Sequence, residues 1–117
     1  MIQHIVLISP KEGLPDEDRQ AFAGATLATL RDCRDIGRFT VGRRIDVDPG
    51  YQRSFGEDGF EFAAVLEFDD RAALVRYLTS PRHAELGRLF WEMCGRTIVM
   101  EVETVDPDQG AAALTGR

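Results

Sequence analysis

The N-terminal stretch Ile2-Gln3-His4-Ile5-Val6-Leu7-Ile8 constrains the fold more than any other part of the chain. It is rich in Ile and Val and runs into Ser9-Pro10-Lys11-Glu12-Gly13, a cluster of turn formers and charges, so it reads as a strand. With a two-residue period, Ile2, His4, Val6 and Ile8 share one face, and Ile5 and Leu7 share the other. Both faces are therefore apolar. Helices can cover one side of a small antiparallel sheet, and an uncovered apolar side is seldom left in water. The pattern predicts a second copy packed sheet to sheet, a homodimer. The same residues follow no basic region and no cleavage-site pattern, so the start of the chain reads as a strand and not as a signal peptide.

The remaining elements follow by the same reasoning. Pro15-Asp16-Glu17-Asp18 opens a helix, with Phe22, Ala25, Thr26, Thr29, Leu30 and Cys33 at helical spacing and an end near Arg34 to Gly37. Phe39 to Val47 reads as a second strand, with Gly42 marking a bulge. The connection from Asp48 to Asp58 is long for a hairpin and could form a flap. Phe60, Phe62, Ala64, Leu66 and Phe68 then share one face of a third strand. Asp69 or Asp70 caps a short helix through Tyr77 and Leu78 that stops before Pro81. Ser80 caps a further helix with Pro81 in its first turn and an apolar stripe of Leu86, Leu89, Phe90 and Met93, closed by Gly95. Thr97 to Glu103 is the last strand. The order βαββααβ predicts an α+β, ferredoxin-like subunit with a four-stranded antiparallel sheet and helices on one face. Residues 1–104 would form this domain, and 105–117 a tail of Gly, Ala and polar residues expected to be poorly ordered.

At 117 residues there is room for one core, and 44% apolar with 29% charged residues is a globular composition. A net charge of −6 has the wrong sign for binding a phosphate backbone, which argues against nucleic acid as a partner. The longest clearly apolar runs are about five residues, as in Phe62 to Leu66, against ~18 for a membrane helix. Cys33 and Cys94 are far apart and lack metal-ligand or redox spacing, so both read as small core residues in a reduced, cytoplasmic compartment. Dinucleotide, Walker, serine-hydrolase and zinc-protease signatures are missing, and no cofactor or metal is expected. Asp46, Asp48, Glu57 and Asp58 lack calcium-loop spacing and read as solvated acids.

The chain has two histidines. His4, mid-strand between Ile2 and Val6, should point into a buried layer, either as a core histidine bonded to a carbonyl or internal water or as a pocket residue. His83 lies three residues after the cap Ser80, where the helix dipole keeps an imidazole neutral and fit to act as a general base; alternatively it is a surface residue. Tyr77 precedes it by six residues, and the kink at Ser80-Pro81 could fold phenol and imidazole towards one pocket; its other reading is packing beside Ala73, Leu74 and Leu78. Trp91, off the apolar stripe, could line a groove, make a subunit contact or cover a loop.

With these residues in view, the chain resembles the stress-responsive dimeric α/β barrel (Dabb) family over about residues 1–104. The likeness begins at Met1-Ile2-Gln3-His4-Ile5-Val6-Leu7, continues at Val41-Gly42 and is strongest at Tyr77-Leu78-Thr79-Ser80-Pro81-Arg82-His83, which is similar to the family's Tyr-x-x-x-Pro-x-His segment. The resemblance implies a ferredoxin-like subunit whose sheet pairs with a twin to form a barrel. A plant polyketide cyclase of the family closes poly-β-ketones by aldol condensation without a cofactor, and its pocket residues would fall on His4, Tyr77 and His83. His83 would remove a proton between two carbonyls, Tyr77 would bond the enolate oxygen, and His4 would orient the chain or relay a proton. A second pocket tyrosine of the cyclase, on the first helix, is replaced here by Thr26, so the resemblance does not carry the cyclase's own substrate over to this chain. The leading expectation is a homodimer that binds a small hydrophobic or aromatic molecule, with cofactor-free cyclase or isomerase activity. The alternatives are a cofactor-independent monooxygenase of the dimeric barrel type and a non-catalytic stress or assembly protein.

Overall fold

Alternation along the first strand decides how the layers stack. In the computed structural model, which describes residues 1–47 and 59–116, the strand β1 (Ile2–Pro10) buries Ile2, His4, Val6 and Ile8 under the helices and leaves Ile5 and Leu7 half-buried on the opposite side. The helix α1 (Asp16–Asp32) follows, then β2 (Arg38–Arg43), β3 (Phe62–Phe68), α2 (Arg71–Leu78), α3 (Pro81–Met93) and β4 (Cys94–Glu103). The sheet has the order β2-β3-β1-β4, and every neighbouring pair is antiparallel. This is the ferredoxin-like α+β arrangement, with β1 and β3 central and β2 and β4 at the edges.

The core lies between the sheet and the helices. Leu66 and Phe68 of β3 are its most deeply buried large residues, joined by Ile2, Val6, Leu30, Leu74 and Tyr77. Phe22 of α1 meets Phe90 of α3 at 5.0 Å between ring centres, packing those helices together. Exposed ion pairs Asp35–Arg76 (2.8 Å) and Asp32–Arg82 (2.9 Å) link the end of α1 to α2 and α3. The opposite side of the sheet carries Ile5 and Leu7 of β1, Ala63 and Val65 of β3, and Ile98 and Met100 of β4, which face one another in register. Ile98 and Met100 are 49% and 56% exposed, and no helix lies over this apolar surface among the described residues.

Several boundaries differ from expectation for local reasons. The strand β2 ends at Arg43 and not at Val47, and Gly42 pairs with Ala63 in unbroken register, so there is no bulge there. The irregularity falls between Ser9 and Pro10 instead, where proline cannot donate to the ladder. Gly95 does not close α3, because a glycine cap needs a positive φ and Gly95 lacks one. The helix stops at an extended Cys94, which begins β4, so helix and last strand join without a linker. After Glu103 the chain makes a short 3-10 turn, Pro107–Gln109, and a single helical turn, α4 (Gly110–Leu114), both largely exposed. The suggested flap from Asp48 to Asp58, with the acids Asp48, Glu57 and Asp58, lies outside the described residues. No helix among the described residues is long and apolar enough to cross a membrane.

Candidate functional site

The break between α2 and α3 builds the site. Ser80 is the N-cap of α3: its hydroxyl accepts from the His83 backbone N–H at 3.2 Å and donates to the Tyr77 carbonyl at 2.7 Å. One side chain thus ties the last turn of α2 to the first turn of α3, and Pro81 fits the first helical position because its missing N–H has no partner to lose there. The result brings Tyr77 and His83 together, with ring centres 4.9 Å apart and nearly edge to face. From below, His4 of β1 meets the same tyrosine at 5.8 Å, also edge to face. Phe68 backs the phenol at 5.5 Å.

All three residues line one cavity of about 280 Å³ between β1, β4, α2 and α3, with Val6, Leu78, Leu86, Phe90 and Val99 in its walls. The sequence placed these residues on three separate elements, and the fold joins them. Glu101 is a further member that sequence reasoning missed. It stands directly opposite His4 on β4, and its Oε1 lies 2.8 Å from His4 Nδ1. His4 is 4% exposed, and the Glu101 carboxylate is the partner of its Nδ1.

Burial sets the protonation of the other two groups. The Tyr77 phenol is pushed up to about 12, mainly by desolvation and secondarily by Cys33, so it stays protonated and can donate. The His83 imidazole is lowered from its ordinary 6.5; burial is the main cause, the nearby His4 adds to it, and a hydrogen bond with the Leu78 backbone opposes it. This lowering favours the neutral imidazole, with burial as its leading cause. Among the described residues, no group of three or more His, Cys, Asp or Glu side chains could hold a metal ion. Both cysteines are free thiols.

Trp91 lies apart from this chamber. It is 85% exposed on the rim of an outer groove, lined also by Lys11, Cys94, Arg96 and Thr97, which shares Gly87, Phe90 and Thr97 with the chamber wall. A Cβ at Gly87 would meet nothing within 4 Å. Gly87→Ala is therefore expected to stabilise α3 by up to about 1 kcal/mol, read as a higher midpoint in urea unfolding. A bulkier Gly87→Leu should fold equally well but obstruct the chamber. Thr26 of α1 does not line the chamber, and its buried hydroxyl has no hydrogen-bond partner among the described residues.

Comparison with known proteins agrees with this fold. A ferredoxin-like Dabb family protein from Mesorhizobium loti superposes with a TM-score of 0.72 at 21% identity, covering 90% of this chain and 97% of its own. The hydroxynitrile lyase of Passiflora edulis gives 0.71 at 19% identity, covering 91% and 96%. A dimeric ferredoxin-like protein of unknown function from Thermobifida fusca gives 0.68 at 14% identity, covering 88% and 90%. No curated protein matches the chain in sequence. The family model for the stress responsive A/B barrel domain matches residues 2–104, nearly the whole chain, and the protein belongs to that family.

Proposed function

We propose that the protein is a homodimer, packed through the open side of its sheet, whose chamber binds a small hydrophobic or aromatic carbonyl compound and catalyses a cofactor-free aldol-type cyclisation or isomerisation. The observation that carries this reading is the convergence of His4, Tyr77 and His83 on a single, mostly apolar cavity. At about 280 Å³ the chamber suits a single ring with a short chain, near the lower end of known ligand pockets. His83, held neutral, takes a proton from a carbon between two carbonyls. Tyr77 donates a hydrogen bond to the oxygen that becomes the enolate. The carbanion then forms the new carbon–carbon bond at a second carbonyl, and the resulting alkoxide takes a proton through His4.

Tyr77→Phe tests this chemistry with little change in packing, since the ring against Phe68 is kept. Turnover of a linear poly-β-ketone is expected to fall by roughly 10²- to 10³-fold, the usual cost of removing an oxyanion donor. Single-ring phenols, poly-β-ketones and an aromatic hydroxynitrile are suitable binding probes. By NMR each ligand that binds should perturb His4, Tyr77 and His83, and Gly87→Leu should abolish the effect. Binding that leaves those three residues undisturbed would place the ligand elsewhere and refute the reading.

A further inference from the structure

Glu101 lines the chamber and bonds His4, yet the reaction above gives it no task. It shares the helix-facing row of the edge strand β4 with Thr97, Val99 and Glu103, and although its own side chain is 41% exposed, its carboxylate meets an almost fully buried imidazole on the central strand. A carboxylate can only accept hydrogen bonds, so the proton in the 2.8 Å contact belongs to Nδ1 of His4. Neutral His4 must then carry its lone pair on Nε2, the reverse of the tautomer that free imidazole side chains prefer. His83 has a different support, the neutral backbone of Leu78, which cannot balance a positive ring as a carboxylate can.

We propose that Glu101 is a positioning residue that holds His4 in the Nδ1–H tautomer, leaving Nε2 to accept and return the proton in transit, and that balances the charge while His4 carries it. This deepens the acid–base reading of the chamber and rests on it. The proton that leaves carbon for His83 is passed to Nε2 of His4 and from there to the new alkoxide, while the Nδ1 proton stays on its bond to Glu101. No proton is gained or lost over the cycle.

The test has a readout independent of turnover. With two histidines in the chain, 15N-labelled imidazole gives two ring systems, and His83→Ala identifies that of His4. At a pH where both rings are neutral, His4 should show a protonated-type Nδ1 and an unprotonated-type Nε2. Glu101→Leu should shift it towards the Nε2–H form, whereas Glu101→Gln, whose amide oxygen still accepts, should keep the tautomer and lose the charge. In turnover, the Leu variant should lose roughly 10²-fold in kcat with little change in KM, and the Gln variant should recover part of it. An Nε2–H tautomer in the wild-type protein, or an unchanged tautomer in Glu101→Leu, overturns the proposal; if the Leu variant fails to fold, the wild-type and Gln spectra decide it. Should no carbonyl probe be turned over, the catalytic reading fails while the tautomer spectra still report on Glu101.

Discussion

Replacing His83 with alanine is expected to lower turnover of a cyclisable poly-β-ketone by at least ~10²-fold, the lower range for loss of a general base, and to leave the dimer intact. The side chain lies on the helical side of the sheet, away from the surface through which two copies would pack, so assembly and chemistry separate cleanly in this variant. The pH profile carries the sign of the effect. The base must be neutral, and burial holds His83 below its ordinary 6.5, so kcat/KM should rise with pH through that lowered value and already be level near neutrality. Tyr77, at about 12, imposes no alkaline limb in the working range. The part of the acid limb that belongs to His83 should disappear in His83→Ala. The same shift acts on folding: between the lowered value and 6.5 the unfolded chain binds more protons, so this residue's contribution to stability falls as the solution is acidified through that window. Full activity in His83→Ala would remove this residue from the mechanism.

The second large effect concerns assembly. Met100 lies on the open side of β4, 56% exposed in the single chain and aligned with Ile5 of β1. Met100→Glu leaves a single subunit free to fold, because the new carboxylate stays in water there. In a sheet-to-sheet dimer it would be buried without a partner, at a cost of about 3–5 kcal/mol for each copy, so one such carboxylate alone should raise the dissociation constant by roughly 10²- to 10⁴-fold and two should raise it further. Sedimentation velocity over a dilution series should show the wild-type protein as a dimer and the variant as a folded monomer. If wild type and variant sediment alike, this surface is not the contact.

How much of this was legible in the sequence depends on the kind of signal. The two-residue alternation of Ile2 to Ile8 placed His4 in a buried layer with Ile2, Val6 and Ile8; which side the helices cover is not in that pattern, since both faces are apolar. Ser80-Pro81, as cap and first helical residue, placed Tyr77 and His83 at a sharp joint between two helices. Those signals are local, and local patterns survive folding. Glu101 was not legible because its role depends on which residue of β1 it faces, and that register is set by an irregularity at Ser9/Pro10 and a strand that starts at Cys94 without a turn. Gly42 and Gly95 misled for a related reason: glycine permits a bulge or a cap without requiring either. The stripe of α3 located Leu86 and Phe90, and Trp91, which lies off that stripe, is 85% exposed.

The central strand β1 turns His4 towards the chamber and Ile5 and Leu7 towards the bare side of the sheet. On the proposed reading, adjacent residues of one strand therefore serve two different events, capture of a guest molecule and the meeting of two subunits. Thermodynamic reciprocity then requires that, if pairing stiffens this strand, guests are held more tightly by paired subunits and pairing is tightened to the same degree by guests. Affinity for a guest would then weaken on dilution, and saturating guest would slow the separation of the subunits.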